Sequence, residues 1–152
     1  MNIVLHQPEI PHNTGAVGRT CLLTGASLHL IHPLGFFMDE KNLKRSGLDY
    51  WKQIQITEYK DFDDFLKQNP NARIFLAETG GTKSYDQVSY SLNDFIIFGQ
   101  ETKGLPRQIL DKFPDQIISI PMKNHGRSLN LSVSVGIILY EALRQTGFKG
   151  LA

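Results

Sequence analysis

Three stretches of this chain bring small, amide, carboxylate and cationic residues close enough together to do chemistry. The first, residues 13–19, reads NTGAVGR. It sets the carboxamide of Asn13, two glycines and Arg19 at the start of a segment with helical spacing. A helix N-terminus carrying glycines can cradle an anion, and the planar fork of Arg19 can grip a phosphate or carboxylate. An ordinary helix cap followed by a surface arginine would look the same. The stretch matches neither G-x-x-x-x-G-K-S/T nor G-x-G-x-x-G, so the standard nucleotide fingerprints fail here.

The second stretch, residues 98–106, reads FGQETKGLP. An apolar run ends in Gly99, which would let a ligand approach the main chain closely. Glu101 then puts a carboxylate beside that point, and Lys103 and Arg107 could reach phosphate. A solvated turn is the alternative. The third, residues 120–132, reads IPMKNHGRSLNLS. Ser128 and Asn130 stand before a long apolar segment, where they could cap a helix. Lys123, His125 and Arg127 make the loop basic. That suits a phosphate-bearing substrate, although most such loops are simply solvated.

Other chemistries are poorly served. No pair among His6, His12, His29, His32 and His125 has the H-E-x-x-H spacing. His29 and His32 stand three apart in a strand-like run and so point to opposite faces. No metal site is expected. Cys21 is the 1 cysteine, which excludes an internal disulfide and a Cys-based zinc site. It lies on the apolar side of its segment and reads as a buried, inert thiol. No Ser/His/Asp arrangement has a recognisable local context.

The elements that must position these residues follow from the apolar patterning. Asn2–His6 reads as a strand, followed by an extended loop forced by Pro8 and Pro11. Asn13 or Thr14 then caps a helix to about Ala26. A strand at 27–32 stops at Pro33. Asp39 starts a short polar helix through Arg45. A weak strand at 53–58 precedes a short helix at 61–68, where Phe62, Phe65 and Leu66 recur at helical spacing. Residues 73–77, 94–98 and 116–120 read as buried strands, 106–113 as a short helix opened by proline, and 129–145 as a long helix apolar on several sides. Strands alternating with helices indicate an α/β domain with a mainly parallel sheet covered by helices on both faces. Ligands of such sheets bind outside the carboxyl ends of the strands. The segments after Ala77, Phe98 and Ile120 are therefore where chemistry belongs.

At 152 residues the chain suits one domain spanning 1–152. A hydrophobic content of 41% against 20% charged residues excludes a disordered chain. The net charge of +1 means that any nucleic-acid footprint must be a local patch. The N-terminus has no basic and apolar leader. The longest apolar runs, 95–98 and 137–140, fall far short of the ~18 residues of a membrane span. A soluble protein of the reducing cytoplasm, with no membrane partner, is expected.

Together, NTG with a following arginine, FGQETKGLP, and IPM leading to RSLNLS resemble the three motifs of the SPOUT RNA methyltransferases. The chain is most similar to the small 2′-O-methyltransferases of the TrmL (YibK) type, which methylate the wobble nucleotide of certain leucine tRNAs. The resemblance runs end to end and includes QPEIPHNTG, HPLGF and RSGLDYW. It implies an α/β-knot fold that holds S-adenosylmethionine in a C-terminal trefoil knot, against the general rule that chains are unknotted. It implies a homodimer packed through the first and last helices. The cofactor would touch Ala77, Gly99, Ile120, Met122, Ser128 and Leu129. Arg19, Glu101, Ser128 and Asn130, with Asn13, match residues implicated in catalysis. RNA contacts would come from Lys103, Arg107, Lys123 and Arg127, with Lys44 and Arg45 as further candidates, and the target would be the tRNA anticodon loop.

A guanidinium has no acceptor and rarely gives up its proton. Arg19 is therefore expected to clamp the target's phosphate and stabilise the developing alkoxide, reaching the site of the partner subunit, with a role as base only if desolvated. An rRNA ribose 2′-O-methyltransferase and a non-catalytic RNA-binding module of the same fold are the alternatives. An unrelated flavodoxin-like or Rossmann-type binder would instead hold a phosphate-bearing cofactor at residues 13–19.

Overall fold

The structure, a computed structural model, describes residues 1–39, 41 and 50–152. Seven strands form one sheet: β1 (Asn2–His6), β2 (Ser27–Ile31), β3 (Ile56–Tyr59), β4 (Ile74–Ala77), β5 (Lys83–Ser84), β6 (Phe95–Phe98) and β7 (Ile117–Ser119). Every pairing is parallel, and the order is β3-β2-β1-β6-β4-β7-β5. The helices are α1 (Pro11–Thr24), α2 (Phe62–Gln68), α3 (Arg107–Lys112) and α4 (Leu131–Gln145).

Strand alternation sorts the apolar residues into two cores, as a sheet covered on both faces requires. Ile3, Leu5, Leu28, Leu30, Ile96 and Phe98 face one way, onto Val17 and Cys21 of α1 and Val135, Ile138 and Leu139 of α4. Val4, Ile31, Ile97 and Leu76 face the other, onto Phe62 and Phe65 of α2 and Ile109 of α3. The expected parallel α/β sandwich is therefore what the chain forms. Cys21 is fully buried, and burial pushes its thiol up to about 12. It has no nucleophilic character at neutral pH.

Two topological features place a site. The chain runs outward through β1, β2 and β3, then crosses so that β6 comes to lie between β1 and β4. The order reverses at β1 and β6, and a ligand cleft forms at such a reversal. Further along, β7 is inserted between β4 and β5, which are joined only by residues 78–82. Ile118 pairs with both Ala77 and Lys83, so that short connection must cross one face of β7. It presses closely: a methyl group at Gly81 would lie 3.0 Å from the carbonyl carbon of Ile118. Such a crossing over an inserted strand is consistent with the C-terminal knot that the resemblance implies.

Several local expectations change. Neither Asn13 nor Thr14 caps α1. Pro11 occupies its first turn, Ile10 is its N-cap without a side-chain bond, and the helix ends at Gly25 in the left-handed conformation (φ 70°) rather than at Ala26. The strand expected at 53–58 begins at Ile56, because Trp51–Gln53 is a 3₁₀ turn. Trp51 and Ile54 pack into the space where Gly18 of α1 has no side chain. β5 has only two residues, too few to leave a periodic signal. Asp61 does cap α2, accepting from the Asp64 N–H at 2.8 Å, and Asn130 caps α4. Most of the expected polar helix at 39–45 and most of RSGLDYW lie outside the described residues.

His29 and His32 do diverge. His32 stands at the rim, 2.6 Å from Glu58. His29 is buried against Tyr59 and Phe95, with its ring nitrogens 3.0 Å from the Tyr59 hydroxyl and 3.2 Å from Asn2 Oδ1. Burial, with a smaller contribution from the N-terminal ammonium, pushes the His29 imidazole down to about 4. A folded value below the ordinary one means that the neutral ring's stabilisation is complete above pH 6.5 and lost as the pH falls towards 4. Chemical unfolding midpoints should fall through that window, by up to about 3 kcal/mol of stability, and less in His29→Gln. Equal slopes in the two proteins would assign the acid sensitivity to another group.

Candidate active site

The site is built around one carboxylate. Glu101, in the loop after β6, accepts hydrogen bonds from the Glu9 N–H (2.9 Å), the Ile10 N–H (3.1 Å) and Asn13 Nδ2 (3.2 Å). These donors lie just before and within the first turn of α1, where main-chain N–H groups lack partners within the helix and the dipole is positive. The anion-binding donors thus lie at Glu9 and Ile10, with only the side chain of Asn13 from residues 13–19, and the protein's own Glu101 occupies them. That leaves no place for a cofactor phosphate at this helix end, which removes the flavodoxin-like and Rossmann-type alternatives.

Asn13 continues the chain of bonds. Its Oδ1 accepts from Asn130 Nδ2 at 2.9 Å, and Asn130 Oδ1 accepts from the Ser132 and Val133 N–H groups at 2.9 and 3.4 Å. Each amide can satisfy these neighbours in only one orientation, since a carboxylate accepts and a helix N–H donates. Glu101, Asn13 and Asn130 therefore lock the loop after β6 to the starts of α1 and α4. Asn13 is buried, so its bonds are sheltered from competing water.

Beside this lock lies a cleft of about 590 Å³. Ala77, Gly99, Ile120, Met122, Ser128 and Leu129 line it, as do Asn13, Glu101, Lys103 and Asn130. Its lining is mixed: Ile118, Ile120, Leu129 and Ile138 are apolar, and Glu78 and Glu101 bring two carboxylates. Glu78 escaped sequence reasoning. Its Oε2 accepts the Leu105 N–H at 2.8 Å, and its Oε1 accepts the Thr79 N–H at 3.1 Å. The available signal was its position, directly after the strand that ends at Ala77.

Gly99 has a steric reason besides the one expected. A methyl group there would lie 2.1 Å from the carbonyl carbon of Gly104 and 2.3 Å from the Leu105 nitrogen. The loop doubles back, with Gln100 and Gly104 exchanging main-chain bonds of 3.1 and 2.9 Å. The missing side chain makes room for the loop, and Gly99 also lines the cleft.

The remaining candidates lie elsewhere. Arg19 is exposed on α1, six residues and therefore roughly 120° around the helix from Asn13. Its guanidinium stands 5.9 Å from the centre of the Tyr50 ring, and it does not line the cleft of its own chain. Arg107 pairs with Asp111 at 2.9 Å on the outer side of α3. Lys123 and Arg127 are exposed on the loop that leads to α4. Lys44 and Arg45 lie outside the described residues. Among the described residues no three His, Cys, Asp or Glu side chains are grouped to hold a metal ion, and no helix is long and apolar enough to cross a membrane.

A seven-stranded parallel sheet covered on both faces, with its cleft at the carboxyl ends of the strands, defines an α/β ligand-binding domain. The chain belongs to the SpoU rRNA methylase family, whose model matches residues 1–140. It is 47% identical over 151 residues to the tRNA (cytidine(34)-2'-O)-methyltransferase of Escherichia coli strain K12, covering 99% of this chain and 96% of that protein. A structure solved for insight into the 2-OH methylation of C/U34 on tRNA is similar with a TM-score of 0.89 and 42% identity, over 96% of this chain and 95% of that one. An AdoMet-bound rRNA methyltransferase from Sinorhizobium meliloti is similar with a TM-score of 0.79 and 25% identity, over 94% and 55% of the two chains.

The Gly99 contact gives a direct test. Gly99→Ala should destabilise the fold by at least about 2 kcal/mol, because rigid main chain has to move. Denaturant unfolding measures it, and a loss below about 0.5 kcal/mol would show that the loop opens freely.

Proposed function

We propose that this chain is an S-adenosylmethionine-dependent methyltransferase acting on the ribose 2′-hydroxyl of the wobble nucleotide, cytidine or modified uridine, of leucine tRNAs. The observation that carries this reading is the locked Glu101–Asn13–Asn130 set beside the cleft, in a chain similar throughout its length to a tRNA (cytidine(34)-2'-O)-methyltransferase. The residues present fit the cofactor. The cleft volume is in the range of ligand sites, its apolar lining residues suit a purine ring, and Glu78 and Glu101 give it the negative field that a sulfonium cation requires. Ala77, Gly99, Ile120, Met122, Ser128 and Leu129 would hold it. When bound, S-adenosylmethionine supplies an electrophilic methyl group.

The chain's own residues then have to orient the ribose. Alignment of a nucleophile for in-line attack can be worth about 7–11 kcal/mol of barrier. Ser128 and Asn130, at the cleft mouth, are assigned to this orientation, with Glu101 and Asn13 holding the frame. Arg19 is assigned to the target phosphate and to the developing alkoxide. Because it points away from its own cleft, it serves the cleft of a second copy. A homodimer through α1 and α4 supports this geometry: Leu23, Val133 and Tyr140 leave 68%, 48% and 51% of their surface exposed on these helices, more apolar surface than a lone helix pair needs to show. The partner RNA is the tRNA anticodon loop, whose unpaired nucleotides can be splayed out. Lys103, Arg107, Lys123 and Arg127 contact its phosphates. A protein of net charge +1 binds in this way with steep salt dependence. A reducing cytoplasmic location belongs to the same reading.

Purified protein incubated with labelled S-adenosylmethionine and bulk tRNA should place label on the wobble ribose of leucine tRNAs, mapped by nuclease digestion. Label on rRNA alone would move the substrate, and cofactor binding with no labelled RNA would reduce the protein to a binding module. Arg19→Lys, which keeps the charge but loses the fork, should lower kcat by about two orders of magnitude. Near-normal turnover would overturn the bidentate clamp.

A further inference from the structure

Glu101 does not hold its position alone. The residue whose N–H it accepts, Glu9, returns the bond in kind. The Thr102 N–H donates to Glu9 Oε2 at 3.0 Å, and the Thr102 hydroxyl donates to Glu9 Oε1 and Oε2 at 2.9 and 2.8 Å. The loop after β1 thus donates a main-chain N–H to a carboxylate of the loop after β6, and its own Glu9 carboxylate accepts a main-chain N–H of that loop in exchange. Gln100 Nε2 adds a bond to Gln7 Oε1 at 3.2 Å.

Glu9 is itself held from behind. A methyl group at Gly35 would lie 2.8 Å from the Glu9 Cα, and the Gly35 N–H donates to the Pro8 carbonyl at 2.9 Å. The HPLGF segment after β2 therefore backs the PEIP segment after β1. Loops normally wander more than the elements they join. Here three of them are cross-braced at the edge of the cleft, and the brace centres on the Glu9 side chain. No carboxylate is required there for solubility, since the group is half-buried and spent on internal donors. Charge-assisted bonds of this kind are the strong ones, and supporting shells of this kind decide whether a site is held tightly enough to act.

We propose that Glu9 is a positioning residue: its carboxylate holds the Glu101–Thr102 main chain in register beside the cleft. Its consequence for turnover rests on the methyl-transfer reading above. Loss of the brace would let Glu101 and Lys103 drift while the apolar lining residues Ile118 of β7 and Ile138 of α4 stay in place.

The test compares Glu9→Ala and Glu9→Gln with the wild type, using tRNA turnover, S-adenosylmethionine binding, thermal stability and amide hydrogen exchange. In Glu9→Ala, kcat should fall about tenfold or more, with KM for tRNA and the cofactor Kd changed less than about threefold. The Thr102 amide should exchange at least about tenfold faster. Glu9→Gln, which keeps one acceptor oxygen for the Thr102 N–H, should recover much of both losses. Parallel loss of stability, cofactor binding and turnover, with Gln no better than Ala, would reduce Glu9 to a structural residue and overturn the proposal. Unchanged kcat in Glu9→Ala would do the same. If the wild type transfers methyl to no RNA, the functional reading fails by itself. The brace is then decided by exchange alone: faster at Thr102 supports it, and unchanged exchange overturns it.

Discussion

A carboxylate facing a helix start is the contact on which the rest of this protein's site depends. α1 begins with a proline and has no side-chain cap of its own, and the N–H groups before it need an acceptor. Glu101 reaches them from a loop about ninety positions later in the chain. Each such charged bond contributes about 1.5–3 kcal/mol, enough to make the two loops one unit. The same carboxylate orients Asn13, Asn13 orients Asn130, and Asn130 starts α4. Remove the acceptor and two helices lose their starting points together.

Small residues make this convergence sterically feasible. Gly99 and Gly104 let the loop after β6 double back, and Gly81 lets the connection between β4 and β5 cross the main chain of β7. The apolar residues of the strands, buried on both faces, leave the sheet rigid enough to define where those loops emerge. The cleft is the space left between three loops that cannot move independently. Its mixed lining follows from that origin: strand ends and α4 contribute apolar residues, and the loops contribute the carboxylates.

Arg19 shows what one chain does not assemble. Helical geometry carries it away from Asn13, and it rests near Tyr50 on the outer side of α1. As a clamp it makes sense only if a second copy presents its cleft to that face. The exposed apolar residues of α1 and α4 lie on the two helices that the proposed dimer would use. Assembly and catalysis would then be one property, since the same surface that buries Leu23 and Tyr140 would deliver the arginine.

Much of this was legible in the residue order. Six strands and the four described helices follow from apolar runs, helical spacing and the stop signals of proline and glycine, with ends displaced by no more than three residues. The segments after Ala77, Phe98 and Ile120 did prove to line one cleft, because parallel strands put all their carboxyl ends on one edge. What the order of residues could not determine is which donor meets which acceptor. Asn13 looked like a cap because its neighbours in sequence make it one; the fold instead gave its amide to Glu101 and Asn130, residues far along the chain. Gly99 looked like an opening for a ligand; it does line the cleft, but the close packing of Gly104 against it could not be read from the sequence. Local patterns record the preferences of a segment, and those decide elements. Hydrogen-bond partners and steric neighbours in a site are chosen among distant segments, so only the packed structure decides them.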